Sequence, residues 1–132
     1  MDTGSPHLAL LVDSINRLDT KNLLSVGRQI RYSKMYEVNG INVNIVFIHA
    51  PDEISIATYE RGVENETLSC GTGATACALV HASKKMNTQG LIKVRTKGGL
   101  LQVSYESNGT NKFTKAHLIG PAKFIYEGTI EI

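Results

Sequence analysis

The sequence predicts an α+β fold in which a mainly antiparallel, curled sheet or barrel surrounds one central helix. Three observations lead there. Short β-branched segments separated by turn residues recur along the chain. The stretch Ala74 to Ala82 is apolar around nearly its whole circumference, as in a helix buried on all sides. A glycine-rich turn, Ser69-Cys-Gly-Thr-Gly-Ala74, joins a strand to that helix. With 132 residues and no internal repeat or interior boundary, residues 1–132 are expected to form a single domain with one core.

Taken in order, His7 to Val12 is an apolar run of strand length. Asp19-Thr-Lys-Asn22 offers capping residues ahead of Leu23, Leu24, Val26 and Ile30, whose spacing predicts a helix ending near Arg31. Val43 to Ile48 and Ile54 to Tyr59 are strands around His49-Ala-Pro-Asp-Glu53, which predicts a hairpin. Beyond the helix that follows Cys70, Leu91 to Thr96 and Leu100 to Tyr105 flank the tight-turn signal Lys97-Gly98-Gly99. Ser107 to Asn111 forms the next connection, and Lys115 to Ile119 and Lys123 to Ile132 complete the run of strands.

Composition bounds the function. An apolar fraction of 42% and a charged fraction of 20% are those of a globular chain rather than a disordered one. The formal charge of +2 arises from nearly balanced acids and bases with no long basic run, so nucleic acid is not an expected partner. No apolar stretch approaches a membrane span and no basic segment leads into an apolar signal core, which makes the cytoplasm the expected compartment. If Cys70 and Cys77 share a helix, seven residues of rise part their Cα atoms by about 10 Å, beyond the reach of a disulfide. Both thiols are then free, and Cys77 is expected to act as a small buried apolar residue.

The chemistry concentrates at Cys70. A thiol at a helix N-terminus, where amides lack intrahelical partners and the helix dipole is positive, ionises more readily than a free one. The amides of Gly71, Thr72 and Gly73 are suited to hold a carboxylate. One turn thus offers a base and an anchor. Among the histidines, His49, His81 and His117 form no metal-site pattern and are expected to be structural.

Four segments together resemble the C-terminal half of diaminopimelate epimerase. They are Gly4-Ser-Pro-His7, Asn42-Val-Asn44, the run from Glu60-Arg-Gly through Glu66-Thr67 to Cys70-Gly-Thr-Gly73, and Gly120-Pro-Ala with Tyr126-Glu-Gly128. The resemblance implies a cofactor-independent enzyme that interconverts LL- and meso-diaminopimelate, using no pyridoxal phosphate, metal or nucleotide. Two cysteines facing the α-carbon from opposite sides would move its proton. Cys70 corresponds to one of them; the family's upstream Cys-Gly-Asn-Gly turn, which carries the other, does not occur in this sequence.

By resemblance Cys70, Glu60 and His7 are catalytic, and Ser5, Asn42, Glu60, Arg61, Gly71 and Thr72 contact substrate, Arg61 through its backbone. Ser5 departs from the family's usual asparagine. Glu66 and Thr67 are expected to shape the turn. The chain is accordingly expected to be the latter half of an enzyme, inactive alone, with residues 122–132 packing on the missing N-terminal half. Two other readings stand beside it: a non-catalytic binding or assembly module that self-associates as a homodimer through its unpaired last strand, and a thiol redox sensor built on Cys70.

Overall fold

The computed structural model describes residues 1–85, 87–109 and 112–131. Among these residues, seven strands and two α-helices follow the order β1 (His7–Val12), a short 3-10 turn (Ile15–Leu18), α1 (Thr20–Arg31), β2 (Asn42–Ala50), β3 (Glu53–Glu60), β4 (Asn65–Thr67), α2 (Gly71–Ser83), β5 (Gln89–Thr96), β6 (Gly99–Ser107) and β7 (Phe113–Ile119). The strands form one mixed sheet in the order β1-β2-β3-β5-β6-β7, with β4 on β3. β1 runs parallel to β2 and β3 parallel to β5, while the other pairs are antiparallel. The fold class is therefore the expected α+β, with an open sheet rather than a closed barrel.

Local chemistry explains the elements. Asp19 caps α1 by accepting a hydrogen bond from the Asn22 amide at 2.9 Å, so the helix begins where the capping residues stand. The β5–β6 hairpin turns at Lys97-Gly98, and Gly99 adopts φ 136, a conformation that suits glycine because it has no Cβ. α2 carries small residues on every side and is packed by strands on all flanks, from β1 to β7. Its buried residues include Ala74, Cys77, Ala78 and His81, as its all-round apolar sequence requires.

The two faces of the sheet hold two cores. Against α1 lie Val43, Ile45, Ala57 and Tyr59 with Leu23, and against α2 lie Val46, Ile54, Ile56, Val94 and Val103. Strand alternation sorts them: on β2, odd positions from Val43 face α1 and even positions face α2. Near the N-terminus of α2, however, the α2-facing positions become polar. His7, Asn42, Asn44 and Thr58 occupy them, all buried. The register sets His7 beside Asn42 and Asn44 opposite Thr58.

β3 divides its second edge. Glu53 to Ser55 pair with β5, and Thr58 to Glu60 pair with β4. The sheet splits there, and the chain leaves β4 for α2 through Leu68, Ser69 and Cys70. The Gly98 amide donates to the Leu68 carbonyl at 2.6 Å, which ties the β5–β6 turn to this entry loop.

Two expectations need correction. Asn65–Thr67, with Glu66 and Thr67 expected to shape the turn before Cys70, is a short strand on β3. Lys123 to Glu131, expected as a strand, forms none. These residues follow β7 without regular secondary structure, with Phe124, Ile125, Tyr126 and Ile130 between 74% and 83% exposed. A strand needs a partner edge for its amides and carbonyls, and among the described residues this segment is paired with no strand of the sheet. Ile132, and Thr110 and Asn111 of the predicted connection before β7, lie outside the described residues.

Candidate functional site

Cys70 is the N-cap of α2, with extended backbone angles (φ −122, ψ 109) and no side-chain capping bond. Its carbonyl accepts the first helical bond, from the Ala74 amide at 2.8 Å. The thiol therefore leaves the first-turn amides of Gly71, Thr72 and Gly73 without a side-chain cap from this residue. Cys70 is 8% exposed and Cys77, deeper in the helix, is 1% exposed; both are free thiols. Burial and the neighbouring Cys70 push the Cys77 thiol well up, so Cys77 remains an inert thiol in the core.

Gly73 permits the close approach that builds the site. A Cβ there would lie 2.8 Å from Asn44 Oδ1, 3.2 Å from His7 Cε1 and 3.3 Å from Cys70 Sγ. The first turn of α2 thus rests directly on the polar patch of the sheet. Thr72 carries the contact: its Oγ1 lies 2.9 Å from His7 Nε2, 3.3 Å from Ser5 Oγ and 3.5 Å from Cys70 Sγ. Thr3 Oγ1 donates to the Thr72 carbonyl at 2.8 Å, fastening the N-terminal segment to the same turn.

Asn42 and Asn44 sit behind this layer. Asn42 Oδ1 accepts from the Arg61 amide at 2.8 Å, while its Nδ2 donates to Ser5 Oγ and the Pro6 carbonyl, each at 3.1 Å. Asn44 Nδ2 donates to the Leu8 carbonyl at 3.0 Å and lies 3.1 Å from His7 Nδ1, and Asn44 Oδ1 accepts from the Thr58 hydroxyl at 2.8 Å. His7 is held below the usual histidine range, chiefly by burial and also by the N-terminal ammonium and Arg61, against opposing pulls from Asp2 and Glu60.

The Glu60 to Ser69 loop is held from several sides. Arg61 leaves the strand into a turn, its amide on Asn42 and its guanidinium on the Asn39 carbonyl. Glu64, with φ 57, accepts from Tyr59 Oη at 2.9 Å and from the Gly62 amide at 3.1 Å. Burial pushes its carboxyl up, but these hydrogen bonds, one from Tyr32 and the nearby Arg31 outweigh it, and the net shift is downward. Glu66 pairs with Lys97 at 2.9 Å and accepts from Thr20. Glu66, in β4 rather than in a turn, ties that strand to α1 and to the β5–β6 turn.

Of the sequence-predicted residues, the structure brings Cys70, Thr72, His7, Ser5 and Asn42 into one cluster, with the Arg61 backbone at its edge and Gly71 in the first turn of α2. Glu60 ends β3 close enough to His7 to act on its charge. Asn44 and Thr58 were missed. Period-two alternation carried the signal, since Asn44 shares a face with Asn42 and Thr58 shares one with Glu60. His81 donates from Nε2 to the Pro51 carbonyl at 2.9 Å, which ties α2 to the β2–β3 turn, away from the cluster.

Fold and cluster define an α+β protein in which a mixed sheet packs on a buried helix whose N-terminus carries a free thiol. A solved structure of a predicted epimerase from Pseudomonas aeruginosa shares the fold, with a TM-score of 0.58 over 82% of this chain and 36% of that one; at 10% identity the likeness is one of fold alone. A family model described as diaminopimelate epimerase matches residues 1–125. The diaminopimelate epimerase of Flavobacterium psychrophilum is 44% identical over 98% of this chain, and that of Chlorobaculum tepidum 41% identical over 100%. This chain belongs to the diaminopimelate epimerase family, and it spans about half the length of these relatives, 49% of each.

Proposed function

We propose that this chain is the C-terminal catalytic half of a cofactor-independent epimerase that interconverts LL- and meso-diaminopimelate in the cytoplasm, in the synthesis of lysine and peptidoglycan precursors. The observation that carries the reading is Cys70 at the α2 N-cap, with the first-turn amides beside it and the His7–Thr72 cluster against it. The Cys70 thiolate takes the α-proton as its C–H bond breaks, and the electron pair passes onto the α-carbon and its carboxylate. The Gly71 and Thr72 amides hold that carboxylate at the positive end of the helix. A thiol on the opposite face, supplied by an upstream half, delivers a proton and completes the inversion. Glu60 and Asn42 are the proposed substrate contacts on the sheet side.

Half-length coverage of the relatives fits a site that an upstream half completes. So does the exposed apolar surface: Phe124, Ile125, Tyr126 and Ile130 lie open after β7, and Leu68 lies open just before Cys70. The same surface favours one other reading, a non-catalytic module that pairs with a second copy of itself. Chromatographic assay of meso product from the LL isomer separates the two. The chain mixed with a separately expressed upstream half should form meso product, and Cys70→Ala should lower the rate by about 10²–10⁴-fold or more. A mixture in which Cys70→Ala matches the unsubstituted chain would refute the role of Cys70.

A further inference from the structure

We infer that Asn44 fixes His7 as the neutral Nε2–H tautomer and that Thr72 is thereby made a hydrogen-bond donor to the Cys70 sulfur. This rests on the reading of Cys70 as the acid/base thiol. It assigns positioning roles to Asn44 and to the hydroxyls of Thr72 and Ser5.

The directions of the two asparagine amides follow from neighbours with only one option, and the ring and hydroxyls are oriented from them. The Leu8 carbonyl can only accept, so the Asn44 atom 3.0 Å from it is the amide nitrogen, and the second N–H of that nitrogen points at His7 Nδ1, 3.1 Å away. The Thr58 hydroxyl, 2.8 Å from Asn44 Oδ1, completes the amide. Nδ1 therefore accepts, and in a neutral imidazole the proton then resides on Nε2. Nε2–H has two hydroxyl acceptors, Thr72 Oγ1 at 2.9 Å and Ser5 Oγ at 3.0 Å, both closer than the Asn42 Nδ2 donor at 3.5 Å, whose protons go to the Pro6 carbonyl and Ser5 Oγ at 3.1 Å.

The Asn42 amide is oriented the same way. The Arg61 N–H can only donate, which sets Asn42 Oδ1 toward it and leaves Nδ2 to donate to Ser5 Oγ at 3.1 Å. Ser5 has its own proton free to donate to Thr72 Oγ1 at 3.3 Å. Thr72 Oγ1 then receives protons from His7 and Ser5, and its own points at the remaining neighbour, Cys70 Sγ, at 3.5 Å. The chain of donors runs from the sheet to the sulfur.

The consequence is specific. With Nδ1 occupied by the Asn44 donor and Nε2 already protonated, His7 cannot take the proton that Cys70 releases. It acts through Thr72 to stabilise the charged sulfur, since a hydroxyl that accepts from an N–H is a stronger donor in turn. The charges acting on the ring are the N-terminal ammonium, Asp2, Glu60 and Arg61. Serine at position 5 fits this chain of donors because one hydroxyl both accepts from Asn42 and donates onward.

Two measurements on this chain test the assignment without any turnover. Long-range 15N–1H correlation spectra at pH 7, with the His7 signals assigned through their loss in His7→Gln, should show Nε2 protonated and Nδ1 bare. Asn44→Ala should release the other tautomer. An Nδ1–H ring or an imidazolium in the unsubstituted chain, or an unchanged tautomer in Asn44→Ala, would overturn the role given to Asn44.

The second readout is alkylation of Cys70 at pH 7, located by peptide mass. Thr72→Val should slow it about threefold to tenfold, because the reacting sulfur loses its hydroxyl donor. Thr72→Ser should retain the original rate. An unchanged rate in folded Thr72→Val, or an equal loss in Thr72→Ser, would overturn the role of the hydroxyl. If Thr72→Val does not fold, the serine variant and the tautomer spectrum decide. Neither result depends on epimerisation, so a failure here and a failure of the reconstituted enzyme are separable.

Discussion

His7 and His81 are buried imidazoles whose protonation the fold opposes, and both are held below the ordinary histidine value of 6.5, chiefly by burial. The unfolded chain then binds more protons than the folded one between the lowered values and 6.5, so stability rises with pH in that window. This contribution is fully present above 6.5 and is lost as pH falls through it toward the lowered values. Urea unfolding should show declining stability from pH 7.5 to about 5.5, with a shallower slope in His81→Gln, which leaves the cluster untouched. A flat profile, or an equal slope in His81→Gln, would contradict the assignment. Glu64 adds a loss of the same sign at lower pH, as its carboxylate is protonated below its ordinary value of 4.5. At this scale the sequence revealed Cys70, His7 and Asn42, because each sits in a short motif. It left Asn44, though part of the Asn42-Val-Asn44 motif, and Thr58 without a role, because their contact depends on the β2–β3 register that sets them opposite each other.

Elements with their own local code were legible in the sequence. α1 begins at its aspartate cap, the β2–β3 and β5–β6 hairpins form around their turn residues, and α2 is buried because no side of it is polar. β4 was not legible, since three residues show no alternation, and neither were the parallel pairings of β1 with β2 and β3 with β5, which join segments distant in sequence. Lys123 to Glu131 has strand-like composition but, among the described residues, pairs with no strand of this sheet. The helix–sheet contact at Gly73 is where packing and site meet. Gly73→Ala should cost about 1–3 kcal/mol in urea unfolding, because the added methyl meets Asn44 Oδ1 at 2.8 Å and His7 Cε1 at 3.2 Å. It should also displace Thr72 from His7 and slow Cys70 alkylation. Unchanged stability together with unchanged alkylation would mean that the first turn of α2 is not seated against the sheet as described.

On the scale of the whole molecule, an open sheet and an exposed apolar tail accompany a cluster built around one thiol. Replacing Phe124, Ile125 and Tyr126 with serine should weaken association with an upstream half about tenfold or more, as apolar and aromatic anchors dominate interface energies. The stability of the isolated chain should change by less than about 0.5 kcal/mol, since exposed side chains contribute little to it. Titration calorimetry and urea unfolding check the two statements, and a large stability loss with unchanged association would reverse the role assigned to the tail. The central claim is that Cys70 removes or returns the α-proton of diaminopimelate when a second half closes the site. Deuterium wash-in at the α-carbon of LL-diaminopimelate, followed by NMR in the reconstituted mixture, tests it most directly. The prediction is wash-in with the unsubstituted chain and none above background with Cys70→Ser; equal wash-in from both, or none from a folded and associated unsubstituted mixture, would contradict it.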